Sequence, residues 1–150
     1  EHHISWIIDG IDSLGDDRDQ ALNEYRVRTT ELFNRISFEG VPDIRIIVLK
    51  GYPVAAMLRL PTRQSQGKAN LHQGAIGVGL DLASGVTLDG TWHNLKIERH
   101  PDTANPVAGL TAPAWQECLE LAARCYVLSR LGYLGVDLAM DAEPGPIMPA

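Results

Sequence analysis

Two β-rich runs, IRIIVL (residues 44–49) and YPVAAMLRL (residues 52–60), are separated only by Lys50 and Gly51, and this feature narrows the fold most. A two-residue connection leaves room only for a tight reversal, with glycine where positive φ is most readily needed. The pair therefore predicts an antiparallel hairpin. AIGVGLDL, ASG and VTLDG predict a further strand, turn and strand, and HPDTANP a loop rich in turn formers. PAWQECLELAARCYVLSRLG predicts the clearest helix. Pro113 sits near its start, Cys118, Leu121, Ala122, Cys125 and Leu128 form one face, and Gly132 closes it. YLGVDLAM then predicts a buried strand, and DAEPG a turn that returns the chain antiparallel through PIMPA. Such a returning partner is short, and a buried strand left without a full ladder suggests an interrupted sheet.

Nearer the amino terminus, apolar residues at Ile4, Ile7, Ile8, Ile11 and Leu14 have helical spacing and stop at Gly15. ALNEYRV suits a short strand, and TTELFNRIS is either a helical turn or a strand. Together these elements predict an α+β domain in which an antiparallel sheet packs against helices.

With 150 residues, 45% of them hydrophobic, the chain can build one core but is short for two. A net charge of -6 with no basic cluster argues against a nucleic-acid partner, since phosphate-tracking affinity needs clustered Lys and Arg. No apolar run reaches the roughly 20 residues of a membrane-spanning helix, and no signal-peptide pattern opens the chain. These features predict a cytoplasmic protein with no membrane partner. Cys118 and Cys125 are too far apart on one helix to bond to each other and read as reduced core residues.

Several short stretches bear on chemistry. GVGLDL lacks the third glycine and the following helix of a dinucleotide fingerprint, so it reads as a twisted strand. GKANLHQGA, residues 67–75, supplies a cation, an amide and flanking glycines, which suit either a phosphate or a solvated hairpin loop. Asp137 lies among apolar neighbours, where an ionised carboxylate needs a cation unless it alternates to the solvent face. Asp43 and Arg45 share a strand face, where they either pair with each other or reach into a cleft that Arg59 also faces. The five histidines show no zinc-ligand spacing, and no G-x-S-x-G elbow supports a hydrolase triad.

Taken in order, NEYRV, PDIRIIV, VAAMLRL, GKANLHQGA, ELAARCYVLSRLGYLGVDLAM and GPIM resemble the carboxyl-terminal ATP-grasp region of RimK-like α-L-glutamate ligases, nearest the bacterial α-L-glutamate ligase-like proteins. The resemblance implies an ATP-grasp fold and an enzyme that uses ATP and magnesium to form an amide or peptide bond through an acyl-phosphate. Its partners would be ATP and an amino-acid or peptide substrate, with self-association open. By the same resemblance, Glu24 and Tyr25 match the hinge that hydrogen-bonds adenine, and Asp43 matches the acidic position of the D-x-R motif. Lys68, Ala69 and Asn70 match the phosphate-side R-S-N step, with lysine replacing arginine. Arg45 and Arg59 match basic residues lining the phosphate and acyl-phosphate side, and Asp137 matches the first magnesium carboxylate.

The departures carry an expectation of their own. The family completes its magnesium site with a Glu-x-Asn motif, whereas its glutamate position is Ala150 here, preceded by Pro149. An upstream subdomain with an ATP-contacting lysine also has no counterpart. Residues 1–150 are thus expected to form a partial ATP-grasp domain, inactive by itself. It would be a fragment or a degenerate form of a ligase, or alternatively a noncatalytic domain that binds a nucleotide, peptide or protein.

Overall fold

The computed structural model describes residues 25–149. In chain order its elements are α1 (Glu31–Arg35), β1 (Asp43–Leu49), β2 (Tyr52–Leu60), a short 3-10 helix (Leu71–Gln73), β3 (Ile76–Leu80), β4 (Thr87–Trp92), β5 (Leu95–Ile97), α2 (Trp115–Ser129), β6 (Tyr133–Asp141) and β7 (Gly145–Ile147). The strands form one sheet in the order β5-β4-β3-β2-β1-β6-β7. Every neighbouring pair is antiparallel. Among the described strands, β1–β6 is the one ladder that joins distant parts of the chain, because the connection that carries α2 brings β6 to the free edge of β1.

Alternation along β1 separates the two faces of the sheet. Ile44, Ile46 and Val48 are fully buried, while Asp43, Arg45 and Ile47 alternate with them. The apolar side meets α2, whose Trp115, Cys118, Ala122 and Cys125 recur at helical spacing and are buried. Leu58, Leu138 and Met140 complete that layer, each contributing roughly 1.5–3 kcal/mol by leaving water. Cys118 and Cys125 are free and buried, with the Cys118 Sγ 3.6 Å from the Met140 Sδ.

The predicted hairpin, the β3–β4 pair, the helix and the β6–β7 return are all present, and TTELFNRIS resolves as α1. Several details differ from expectation. Strand β6 is not short of a ladder, because Tyr133–Ala139 pair along the whole of β1. Helix α2 closes not at Gly132 but at Arg130, which takes φ 56° and bonds through its N–H to the Tyr126 carbonyl. Its buried stripe stops at Cys125, and Leu128, placed on that face by the sequence reading, is 83% exposed. Strand β5 escaped the sequence reading because its tight turn uses His93 and Asn94, both at positive φ, in place of the usual Asn-Gly signal.

The Ile4–Leu14 helix, and the part of ALNEYRV up to Glu24, lie outside the described residues. Tyr25–Arg28 forms no strand; only Thr29 bridges, to Asp141. The Asp141 carboxylate accepts bonds from the Arg28 N–H (2.8 Å) and the Glu143 N–H (2.9 Å), and the Ala142 N–H bonds to the Arg28 carbonyl. These bonds fasten residues 25–29 to the β6–β7 turn and hold the Asp141 carboxyl below the usual carboxylate range. Among the described residues, no helix is long and apolar enough to cross a membrane.

Asp141→Ala leaves two backbone donors without their acceptor, so the melting temperature is expected to fall by several degrees. An unchanged melting curve would refute the fastening role. Burial, with the nearby Glu117 charge, pushes the Cys118 thiol up to about 11. Its neutral form therefore stabilises the fold fully below the unfolded value of 9.0, and this contribution fades as pH rises toward 11. Iodoacetamide at pH 8 should leave Cys118 unmodified by mass spectrometry unless denaturant is present, and rapid native labelling would contradict this environment.

Candidate anion-binding site

The site grows from the polar face of β1. Register sets Arg59 of β2 opposite Asp43, and Asp137 of β6 opposite Arg45. Directly opposed residues are nearer than neighbours two apart on one strand, so each guanidinium reaches across the ladder. The Arg45 Nε and Nη2 donate to the Asp137 Oδ1 and Oδ2, both at 2.6 Å. The Arg59 Nε and Nη2 donate to the two oxygens of Asp43, and its Nη2 also lies 2.8 Å from the Asp137 Oδ2. Asp43 and Arg45 therefore do not pair with each other. The result is a continuous chain, Asp43–Arg59–Asp137–Arg45, across three strands.

Burial shapes its charges. Burial pushes the Asp43 carboxyl upward, with help from the Asp137 charge and against the Arg59 bonds. A two-pronged guanidinium contact nevertheless requires acceptors on both oxygens, which an ionised Asp43 supplies. Burial also works to raise Asp137, but the bonds and charges of Arg45 and Arg59 outweigh it and hold that carboxyl low. The Arg45 guanidinium is held more basic than usual chiefly by its bond to Asp137. In Arg59, burial opposes the charge, and Asp43 with Asp137 overcomes it.

Beyond β2 the chain folds over this face. Thr62 and Ser65, both buried, exchange hydrogen bonds, and the Thr62 hydroxyl donates to the Gly74 carbonyl at 2.8 Å. The Trp92 Nε1 donates to the same carbonyl. Buried His100 accepts the Asp102 and Thr103 N–H groups at Nδ1, so its Nε2 carries the proton and donates to the Pro61 carbonyl at 2.9 Å. Gly67 takes φ 75°, and a Cβ there would lie 2.4 Å from the Glu39 carbonyl oxygen, so only glycine permits this approach. Asn70 caps the 3-10 helix through Oδ1, which accepts the His72 N–H at 3.0 Å. Leu71 sits above Gly77 of β3.

The loop and the strands frame an open cavity of about 480 Å³. Six residues singled out by sequence line it together: Asp43, Arg45, Arg59, Lys68, Ala69 and Asn70. Asp137 does not line it directly but meets it through both arginines. Tyr25 lines a different cavity with Arg26–Thr29 and Asn34, its hydroxyl accepting bonds from Arg28. Glu24 lies outside the described residues. Leu71, His72 and Gln73 also line the first cavity and were not singled out. Their signal was their place in GKANLHQGA, where Asn70 caps the short helix that carries all three along the cavity rim.

The three cations outnumber the two carboxylates by one, on a chain whose net charge is -6. Lys68 makes no ion pair among the described residues, and the Asn70 Nδ2 makes no hydrogen bond there. The cavity therefore presents unspent donors and positive charge, which fit a phosphate-bearing ligand. A protein-held magnesium fits less well. Both Asp137 oxygens already accept guanidinium bonds, and no three His, Cys, Asp or Glu residues group to hold a metal ion among the described residues.

No curated protein and no solved structure matches the chain. The family model described as sugar-transfer associated ATP-grasp matches residues 1–148, nearly the whole sequence. An α+β architecture built on a seven-stranded antiparallel sheet agrees with part of an ATP-grasp fold. The chain belongs to the sugar-transfer associated ATP-grasp family.

Proposed function

We propose that the cavity receives the polyphosphate of ATP, and that the chain serves an ATP-dependent ligase joining a carboxylate to an amine. The observation carrying this reading is the convergence of Arg45, Arg59, Lys68 and Asn70, from two strands and one loop, on a single cavity. Phosphoryl transfer asks a protein mainly for positioning and charge neutralisation, and these groups supply both. Lys68 neutralises a phosphate oxygen, Asn70 donates from its amide, and the arginines meet charge that develops as the carboxylate is activated. The motif resemblance assigns the adenine side to Glu24 and Tyr25, the latter lining a separate cavity, and magnesium would arrive with the nucleotide.

The finer reading, a RimK-like enzyme of the α-L-glutamate ligase-like group acting on an amino acid or peptide, rests on the ordered motif series. A cytoplasmic setting, where ATP is abundant, agrees with the two free thiols. The outer strands β5 and β7 leave ladder groups at which a second copy would add. A noncatalytic nucleotide-binding domain is the second reading, favoured by the engagement of both Asp137 oxygens with arginine.

Excess ATP with magnesium should raise the melting temperature by mass action, and Lys68→Ala should weaken the apparent affinity by about tenfold or more. A flat melting temperature across the titration would remove the nucleotide reading. In a coupled assay, ADP release that requires both a carboxylate and an amine supports the ligase. Tight ATP binding without such release supports the noncatalytic domain.

A further inference from the structure

Asp137 is the residue whose surroundings least match what the family resemblance implies. Its Oδ1 accepts from the Arg45 Nε, and its Oδ2 faces both the Arg45 Nη2 and the Arg59 Nη2, at 2.6 and 2.8 Å. A divalent cation at those oxygens would stand beside two guanidinium groups and compete with both. Like charges at such range repel strongly in a half-buried site. Asp43 grips Arg59 by the same Nε and Nη2 edge. Arg45 is thus held along one edge, and Arg59 along the same edge with a further contact from its Nη2 to Asp137, while neither Nη1 has a partner among the described residues.

We infer that Asp137 is a positioning residue for Arg45 and Arg59 rather than a metal ligand, and that the cavity takes an inorganic or nucleotide polyphosphate directly on its cations. This inference rests on the polyphosphate reading of the cavity and adds how the charge is met. Holding a guanidinium at its Nε edge fixes the plane of the fork and leaves the Nη1 end for the ligand. A lysine at position 45 would keep the charge and lose that planar geometry. Lys68, lying opposite on the loop, supplies a point charge that needs no fixed plane.

The test uses the unmodified chain first. Arginine Nε–H groups are followed by nitrogen-resolved NMR while manganese ion is added to molar equivalence without ligand. The Arg45 Nε–H signal is expected to stay sharp. Selective broadening of that signal in the unmodified chain, reversed by EDTA, would place the metal on Asp137 and overturn the inference.

Inorganic tripolyphosphate is then titrated calorimetrically in EDTA and in magnesium. Binding is expected in EDTA, weakened about tenfold by Arg45→Lys. Asp137→Asn should broaden the Arg45 Nε–H signal through loss of its anchor. Binding that appears only with magnesium and vanishes in Asp137→Asn would overturn the inference while leaving the polyphosphate reading intact. No binding under either condition would overturn both.

Discussion

A guanidinium–carboxylate chain across β2, β1 and β6 ties the fold of this protein to its site. Its inner member, Arg59 with Asp43, is largely removed from water, with side chains 11% and 17% exposed. Stranding one partner of such a pair costs roughly 3–5 kcal/mol, comparable to a large share of a domain's net stability. The pairs exist only at one register. A slip of β6 by one residue would turn Asp137 toward α2 and bring Val136 to the polar face. Core packing and site assembly therefore specify the same alignment, each opposing the errors the other would suffer.

The covering loop is held by a different kind of force. Thr62, Ser65, Trp92 and His100 fix it through hydrogen bonds that spend no carboxylate, those of Thr62, Ser65 and His100 fully buried. None of those groups spends charge on the task, so Lys68 and the outer arginine edges keep theirs for the cavity. The positive-φ glycine at 67 brings the loop against Glu39 and Gly40, anchoring its far side. Ordering enforced before a ligand arrives lowers the entropy lost on binding.

The sequence makes local elements legible and leaves their distant partners hidden. The β1–β2 hairpin could be read because its turn and both apolar runs lie within seventeen residues. Asp43 and Arg45 were correctly placed on one face by the period of two. Their partners could not be read, because strand register depends on β6, 92 residues from Arg45 at Asp137. Leu128 failed for a related reason: helical spacing gives a face, and the sheet decides how far along that face burial extends. The loop's polar anchors were missed because serine, threonine and histidine in a turn-rich segment look solvated until their carbonyl partners are known. The ordered motifs nevertheless led to six residues of one cavity, since a shared sequence pattern encodes the long-range geometry that composition lacks.

Why a cationic cavity should be backed by two aspartates follows from elementary electrostatics. Arg45, Arg59 and Lys68 gathered in one cavity without counter-charge would repel one another and drive the strands and loop apart. Asp43 and Asp137 cancel most of that repulsion, and they do so from the strand side, at the Nε edges. A polyanion entering from the cavity then meets donors already oriented and a net charge of one sign. It need not reorganise the sheet to be held. The carboxylates weaken the total attraction while making its geometry definite, and definite geometry is what the proposed phosphoryl transfer would demand.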